Sequence, residues 1–383
     1  MDFSWSDRQL ELRDRMARFA EENLNENVVE DDVSGTFSRE RWKACADFGV
    51  LGLNLPVEYG GQGEDIMTSV LAMEGFGYGC KDNSLPFAIN SQMWSVQIAI
   101  QKFGTEEQKM KYLLPMCRGD IIGTLGITEM ETGSDSYALK MRADKCDGGY
   151  VLNGRKCFIT SAPISDVSIV FASTNPEYGR WGISAFMVEQ GTKGFTATPV
   201  RDKMGMRTTL MGDFIFEDCL VPESARLGPE GIGMKMFTTT MESERGYIFS
   251  SLIGRMQRQL EEAVAWSQER KAFGKPIGQF QAVSHRLVGM KLRLETARML
   301  LYKVAWLEQT GQPLLMEAAL TKLYLSECFV ESSMDSVRIH GARGYVTEFE
   351  VERDLRDGVG GLIFSGTSDI QRNIIARLLD EDV

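Results

Sequence analysis

The sequence predicts an α+β multidomain protein, with a helical N-terminal part, a central antiparallel β domain and a helical bundle at the C-terminus. Three observations predict it. Apolar residues recur every three to four positions as far as Cys117. Between Gly119 and Pro229 the apolar segments become short, rich in β-branched and aromatic residues, and punctuated by Gly, Pro and Asn. After Gly231 the helical spacing returns and lasts to the end. The boundaries drawn on this basis are 1–118, 119–229 and 230–383. A chain of 383 residues exceeds the roughly 250 to 300 at which a single core stops growing, so several packed units are expected.

In the first helix Ser6 is the expected cap, and Leu10, Met16, Ala17, Phe19 and Leu24 form the buried stripe. Ser38 caps a short helix that stops at Gly49, and Asp65 opens another whose apolar side ends before Gly77 and Gly79. A longer run carries Ile89, Met93, Val96, Ile100 and Phe103, and Thr105 with Gln108 makes a capping box for the next helix. In the β region GYVLNGRKCFIT, VSIVFAST, ISAFMVEQ, FTATPV and GDFIFEDCLVP read as strands. Asn153-Gly154 is the expected hairpin turn, because both residues accept positive φ. Long helices are expected around 231–269, 277–310, 314–340 and 367–380, with Gly311 and Pro313 separating the second from the third.

Composition narrows the chemistry. A formal charge of −12 without any basic tract argues against a nucleic-acid surface. No apolar run reaches the roughly 20 residues that span a bilayer, and MDFSWSDRQLELRDRM lacks the apolar core of a signal peptide, so a cytoplasmic protein is expected. Seven scattered cysteines without a Cys-x-x-Cys read as reduced packing residues. The two histidines, His285 and His340, leave no material for a His-rich metal centre or a histidine-based nucleophilic relay. No Gly-x-Gly-x-x-Gly exists, and Gly228 to Gly233 reads as a connection between β domain and bundle, so a nicotinamide dehydrogenase is not expected.

In Gly126-Ile-Thr-Glu-Met-Glu-Thr-Gly-Ser-Asp135, Gly133 frees the backbone while Thr128, Ser134 and Asp135 offer short polar side chains. By composition this is either a turn or a set of N–H and hydroxyl donors for a carbonyl-rich ring or a phosphate. Phe158 and Thr160 place an aromatic beside a hydroxyl, which suits strand packing or a flat heterocycle.

ITEMETGSD, LNGRKCFIT, VEQGTKGF, KMGMR, ERKAFGKPIGQFQ, VERDLRD and SGTSDIQR stand in the order and spacing of the acyl-CoA dehydrogenase family, which the whole chain resembles. The resemblance implies a four-helix bundle at the C-terminus, FAD as cofactor, and a homodimer or homotetramer with the flavin at a subunit interface. It assigns Ile127, Thr128, Gly133 and Ser134 to the flavin ring and pyrophosphate, and Phe158 with Thr160 to the side of the ring. Arg270, Phe273 and Gln281 are then the residues lent by a neighbouring subunit, and Thr367 and Asp369 meet the cofactor from the final helix. Arg338-Ile-His-Gly341-Ala342 stands where the family has Gln-Ile-x-Gly-Gly, so Gly341 keeps the pattern while Arg338 and Ala342 depart from it; the resemblance still sets Arg338 and Gly341 among the cofactor-binding residues, Arg338 toward a phosphate.

Oxidising a thioester across its α and β carbons needs a carboxylate to remove the α proton, and burial raises such a group's pKa toward a useful range. Most straight-chain members carry this Glu just before the final Gly-Thr, where this chain has Ser365. A minority supplies it from the first bundle helix as Glu followed by Arg, which here is Glu244-Arg245 in Met241-Glu-Ser-Glu-Arg245. Glu244 is therefore the expected base, with Glu242 and Asp369 as alternatives, and Arg245 and Ser365 belong to the substrate pocket. The tail IFSGTSDIQRNIIARLL and GQFQAVSHRLVGMKLRLE look most like the branch acting on acyl or aminoacyl groups tethered to a carrier protein in secondary metabolism, prolyl being the leading example. A short or branched-chain CoA thioester dehydrogenase, or a flavin- or partner-binding subunit without turnover, is the alternative. Electrons would leave to an electron-transfer flavoprotein or to oxygen.

Overall fold

A computed structural model describes residues 4–381. Met1–Phe3, where the stretch read for a signal peptide begins, lie outside the described residues. Seven helices come first: α1 (Asp7–Asn23), α2 (Val28–Ser34), α3 (Arg39–Phe48), α4 (Ile66–Gly79), α5 (Ser84–Ser91), α6 (Ile98–Phe103) and α7 (Glu106–Cys117). Their starts follow the caps expected. Ser6 and Gln9, and Thr105 and Gln108, close reciprocal capping boxes, while Ser38 and Asp65 accept N–H bonds from Arg41 and Thr68. A π-turn at Gln92–Gln97 joins α5 to α6.

Eight strands form the central sheet: β1 (Gly123–Gly126), β2 (Arg142–Cys146), β3 (Gly149–Thr160), β4 (Val167–Ser173), β5 (Ile183–Glu189), β6 (Phe195–Ala197), β7 (Met211–Pro222) and β8 (Arg226–Leu227). Their order is β6-β7-β3-β2-β4-β5-β8, with β1 beside β4. The long pairings are antiparallel, but β1 runs parallel to β4, as does β2 at one residue pair.

The expected hairpin at Asn153-Gly154 is a correction: both residues lie inside β3. The turn falls instead at Asp147-Gly148, where Gly148 has φ +81° and Cys146 pairs with Gly149. Strand β3 runs through because it pairs with β2 on one side and β7 on the other, and Gly154, at φ +140°, marks a bulge against β7.

The remaining elements are α8 (Gly233–Tyr247), α9 (Ser250–Glu269), the short strands β9 (Lys271–Ala272) and β10 (Lys275–Pro276), then α10 (Gln281–Gln309), α11 (Leu315–His340), α12 (Val351–Gly361) and α13 (Ser368–Glu381). The single helix expected over 231–269 is two, divided at Ile248–Phe249. Helix α12 was not anticipated; its eleven residues end in Gly-Val-Gly-Gly, and glycine is a poor helix former.

Helix α4 continues through its glycines to Gly79, because they serve close packing rather than termination. A Cβ on Gly77 would lie 1.8 Å from Ser251 O, and one on Gly254 would lie 1.9 Å from Glu74 O, so α4 and α9 cross backbone to backbone. Residues Met16, Phe76, Trp94, Ile253, Leu301 and Phe329 belong to one buried cluster, which gives the two helical parts a common core despite the sheet between them in sequence. A second cluster joins α7 and the start of α8 to β4 and β5, and a third fills the rest of the sheet. Among the described residues no helix is long and apolar enough to cross a membrane.

Candidate active site

Helix α8 packs on α11, and α11 also carries α12 and α13, so α8 meets the turn between α12 and α13 across the bundle. That geometry puts Glu244 against Ser365. The Ser365 hydroxyl donates to Glu244 Oε1. Ser365 has φ +55° and Gly366 φ +84°, two left-handed residues in succession. Gln371 holds them there, its buried amide donating to Ser365 O and Gly366 O at 3.1 Å each. Ser is strained in this region, and such strain persists where surrounding contacts enforce it.

Burial pushes the Glu244 carboxyl up from its ordinary range, against the Ser365 hydrogen bond, the Arg245 guanidinium and the Lys322 ammonium, which favour the anion. Arg245 is half-buried, and its Nε has no hydrogen-bond partner among the described residues. Tyr137, in the turn Ser136–Ala138, is one of the groups in its field, which links the 127–135 segment to the end of α8. Of the two alternatives to Glu244, Glu242 is half-buried in the field of Lys102, Arg245 and Glu308. Asp369 is exposed and accepts from Arg372 at 3.1 Å.

The 127–135 segment is pinned from beneath. Lys156 Nζ, fully buried, donates to Glu129 Oε1 at 2.8 Å and to Ile127 O at 3.1 Å. The Glu129 carboxylate also accepts from the N–H groups of Lys140 and Met141 at 2.7 and 2.9 Å. Burial lowers the Lys156 ammonium to about 8, and Glu129 opposes that shift. The segment is thereby fixed while Thr128, Gly133 and Ser134 keep N–H groups that donate to no protein acceptor among the described residues. Gly133 has no positive φ, so backbone freedom is not what it supplies; a Cβ there would meet nothing within 4 Å, which leaves the approach to these N–H groups open.

Phe158 sits at a second bulge between β3 and β7, with φ +59° and 47% exposure. Its N–H donates to Asp213 Oδ1 at 3.1 Å. Asp213, buried, also binds Arg201 at 2.8 and 2.6 Å and Arg155 at 2.5 Å, and Arg201 lies over the Phe158 ring at 4.9 Å. Thr160 is anchored through its carbonyl, which accepts from Thr124 Oγ1 at 2.5 Å. Thr367 Oγ1 accepts from Ile370 N at 3.2 Å at the start of α13, beside a concavity of about 540 Å³ that also touches Leu362, Asp369 and Glu327. A wider groove of about 900 Å³ between α7 and β7–β8 is lined by Glu189 and Thr192 of VEQGTKGF but by none of the candidate site residues.

The remaining expected residues do not join this group. Arg270 and Gln281 are exposed beside the β9–β10 hairpin, whose turn is Phe273-Gly274, both at positive φ. Phe273 is 96% exposed. Arg338 and Gly341 lie at the exposed end of α11, with His340 stacked on Trp266 at 5.8 Å. An aromatic held left-handed and fully in solvent is costly for a lone protomer.

Sequence reasoning missed Lys156, Glu129, Asp213, Gln371 and Lys322. Lys156, Glu129 and Gln371 stand inside the motifs named above, and a lysine within the apolar run LTKLYLSECF was a signal for Lys322.

Comparison with known proteins places this architecture. Family models described as the N-terminal, middle and C-terminal domains of acyl-CoA dehydrogenase match residues 6–120, 124–219 and 231–379. The chain is 43% identical over 380 residues to an L-prolyl-[peptidyl-carrier protein] dehydrogenase of Pseudomonas fluorescens, covering 99% of this chain and 100% of that one. Among solved structures, the prolyl acyl carrier protein oxidase AnaB superposes with a TM-score of 0.97 at 43% identity, covering 98% of this chain and all of that one. PigA, solved with FAD and proline, gives a TM-score of 0.97 at 36% identity over the full length of both chains. Fold and site therefore define a flavin-dependent oxidoreductase that acts on a CH–CH bond. The chain belongs to the acyl-CoA dehydrogenase family.

Proposed function

We propose that this protein uses FAD to dehydrogenate an aminoacyl thioester, a prolyl group on the phosphopantetheine arm of a carrier protein, with Glu244 as the base. The observation that carries this reading is the buried Glu244 carboxylate, raised in pKa and held by Ser365 at the position where most of the family carries its Glu. The relatives named for prolyl carrier-protein chemistry support the substrate.

The residues present suit a flavin. Free N–H groups at Thr128, Gly133 and Ser134 match the carbonyl and phosphate oxygens of FAD, and the half-exposed Phe158 offers an aromatic edge to its ring. When bound, FAD supplies the hydride acceptor for the β carbon. The chain's own part is the proton: Glu244 Oε takes it from the α carbon. A carboxylate raised toward neutrality by burial is a stronger base than one in water. Arg245 faces the same space and limits the rise by stabilising the anion.

Two further features support partners. Val288, Leu292 and Met299 leave an exposed apolar stripe on α10, which with Phe273 suits burial against further copies of the chain in a homodimer or homotetramer. The 176–182 segment contacts both the Ser136–Ala138 turn and α8, which brings exposed Tyr178 and Trp181, with Arg180 over Trp181 at 4.7 Å, to the elements that carry exposed Tyr137 and Lys235. Arg180 and Lys235 have no ion pair among the described residues, and an acidic carrier protein would complement them. Electrons would leave to an electron-transfer flavoprotein or to oxygen.

Anaerobic mixing of the flavin-loaded protein with prolyl carrier protein, and separately with CoA esters, tests the reading. Flavin bleaching by the carrier-bound group, with loss of hydrogens seen by mass analysis of the carrier, is expected. Bleaching by CoA esters alone moves the function to a CoA dehydrogenase, and no bleaching with any thioester removes catalysis.

A further inference from the structure

Lys322 is a buried cation that the reaction as described does not use. It is 0% exposed on α11, and its ammonium donates to Gly361 O at 2.9 Å. It has no carboxylate within ion-pair distance among the described residues, unlike Lys156 with Glu129. An ammonium taken from water without a paired anion is costly. Part of that cost is offset by its acceptor, a carbonyl at the C-terminal end of α12, where the helix dipole favours positive charge.

The location gives the lysine a second role. Gly361 is four residues before Ser365, the residue that donates to Glu244, so a clamp on Gly361 fixes the start of that turn. Gln371 fixes its other end. The charge also acts through space on the Glu244 carboxylate, together with Arg245. The groups facing Glu244 are Ser365, Arg245 and Lys322; those facing Lys322 are Arg245, Glu327 and Glu244. Burial, with help from Arg245, lowers the Lys322 ammonium to about 8, so near pH 7 it remains mainly charged.

We propose that Lys322 is a positioning residue for Glu244: its clamp on Gly361 holds the turn that presents Ser365 to the carboxylate, and its buried ammonium sets a fixed positive charge on the same side of the site. The proposal rests on Glu244 being the base. Two influences on that carboxylate oppose each other: burial raises its pKa, and Lys322 joins Ser365 and Arg245 in favouring the anion.

The test compares Lys322→Gln, which keeps a donor for Gly361 O without the charge, with Lys322→Arg, which keeps the charge. Flavin bleaching by the carrier-bound thioester is followed across pH in single turnover, with flavin content and Tm measured alongside. The expected result for Gln is an acid limb displaced upward by about one pH unit, a roughly tenfold lower rate on that limb, with Arg close to wild type. An acid limb unmoved in Gln, or displaced equally in Arg, overturns the proposal. A second readout needs neither flavin nor turnover: the infrared carboxyl band of Glu244, identified by its loss in Glu244→Gln, is titrated in flavin-free wild type and Lys322→Gln. An unchanged titration midpoint overturns the proposal as well. Wild-type protein that fails to bleach with every thioester removes the catalytic reading instead, while the infrared titration still decides the role of Lys322.

Discussion

The Ser365 hydroxyl donates to Glu244 Oε1 across 121 positions of sequence. The two places that the family resemblance offers for the carboxylate thus lie within one hydrogen bond of each other. Removing the hydroxyl removes a force that lowers the Glu244 pKa. Ser365→Ala is therefore expected to move the acid limb of the bleaching rate upward by about one to two pH units, the equivalent of a hydrogen bond to a charged group worth about 1.5–3 kcal/mol. An acid limb identical to wild type in a flavin-replete variant contradicts this.

Glu244→Gln keeps the shape and removes the proposed base. It is expected to bind yellow flavin with wild-type stoichiometry and to lose at least 10²-fold in bleaching rate, on the order of a general base's contribution. Stopped-flow absorbance of the flavin reads both. Near-normal turnover would move the role to another group.

Lys156 and Glu129 are partners beneath the free N–H groups of the 127–135 segment. Breaking a buried pair from one side costs about 3–5 kcal/mol, because the remaining charge is stranded. Glu129→Gln is expected to release flavin at dilutions the wild type tolerates and to lower Tm. Retention of flavin at wild-type affinity would show that the segment needs no such pin.

Gly77 and Gly254 allow α4 and α9 to cross with no side chain between them. Gly77→Ala must push the Ser251 carbonyl aside, at a cost of about 1–3 kcal/mol for overpacking. Calorimetry should find a clear drop in Tm, and an unchanged Tm would mean that the two helices part freely.

Phe273 lies 96% exposed at a left-handed position. Phe273→Gly relieves the backbone and removes the ring. The isolated protomer's fold should be unaffected in far-ultraviolet circular dichroism, while flavin retention and assembly by sedimentation weaken together. Unaltered assembly and flavin content would leave Phe273 without the role given to it by the family resemblance.

The helical, β and helical parts were legible because each period is a local property: Ser6, Ser38, Asp65 and Thr105 cap the helices that their spacing announces. The motif residues and the Glu244-Arg245 pair were legible as residue types in a known order. Asn153-Gly154 misled because a turn and a bulge can both use a glycine at positive φ, and only the partners on both sides of β3 distinguish them. Gly77 misled for the same kind of reason, since a glycine that ends a helix and one that admits another backbone look alike in sequence.

By itself, then, the sequence determined the order of periods, the caps, and which side chains were available for chemistry, with scarce histidine turning attention to a carboxylate. Only the tertiary structure decided which of those side chains meet. It placed Ser365 on Glu244, Lys156 under Glu129, and Lys322 against the end of α12. Those pairings depend on helix crossings and strand registers between segments far apart in the chain, and burial sets their charges, so no local pattern encodes them.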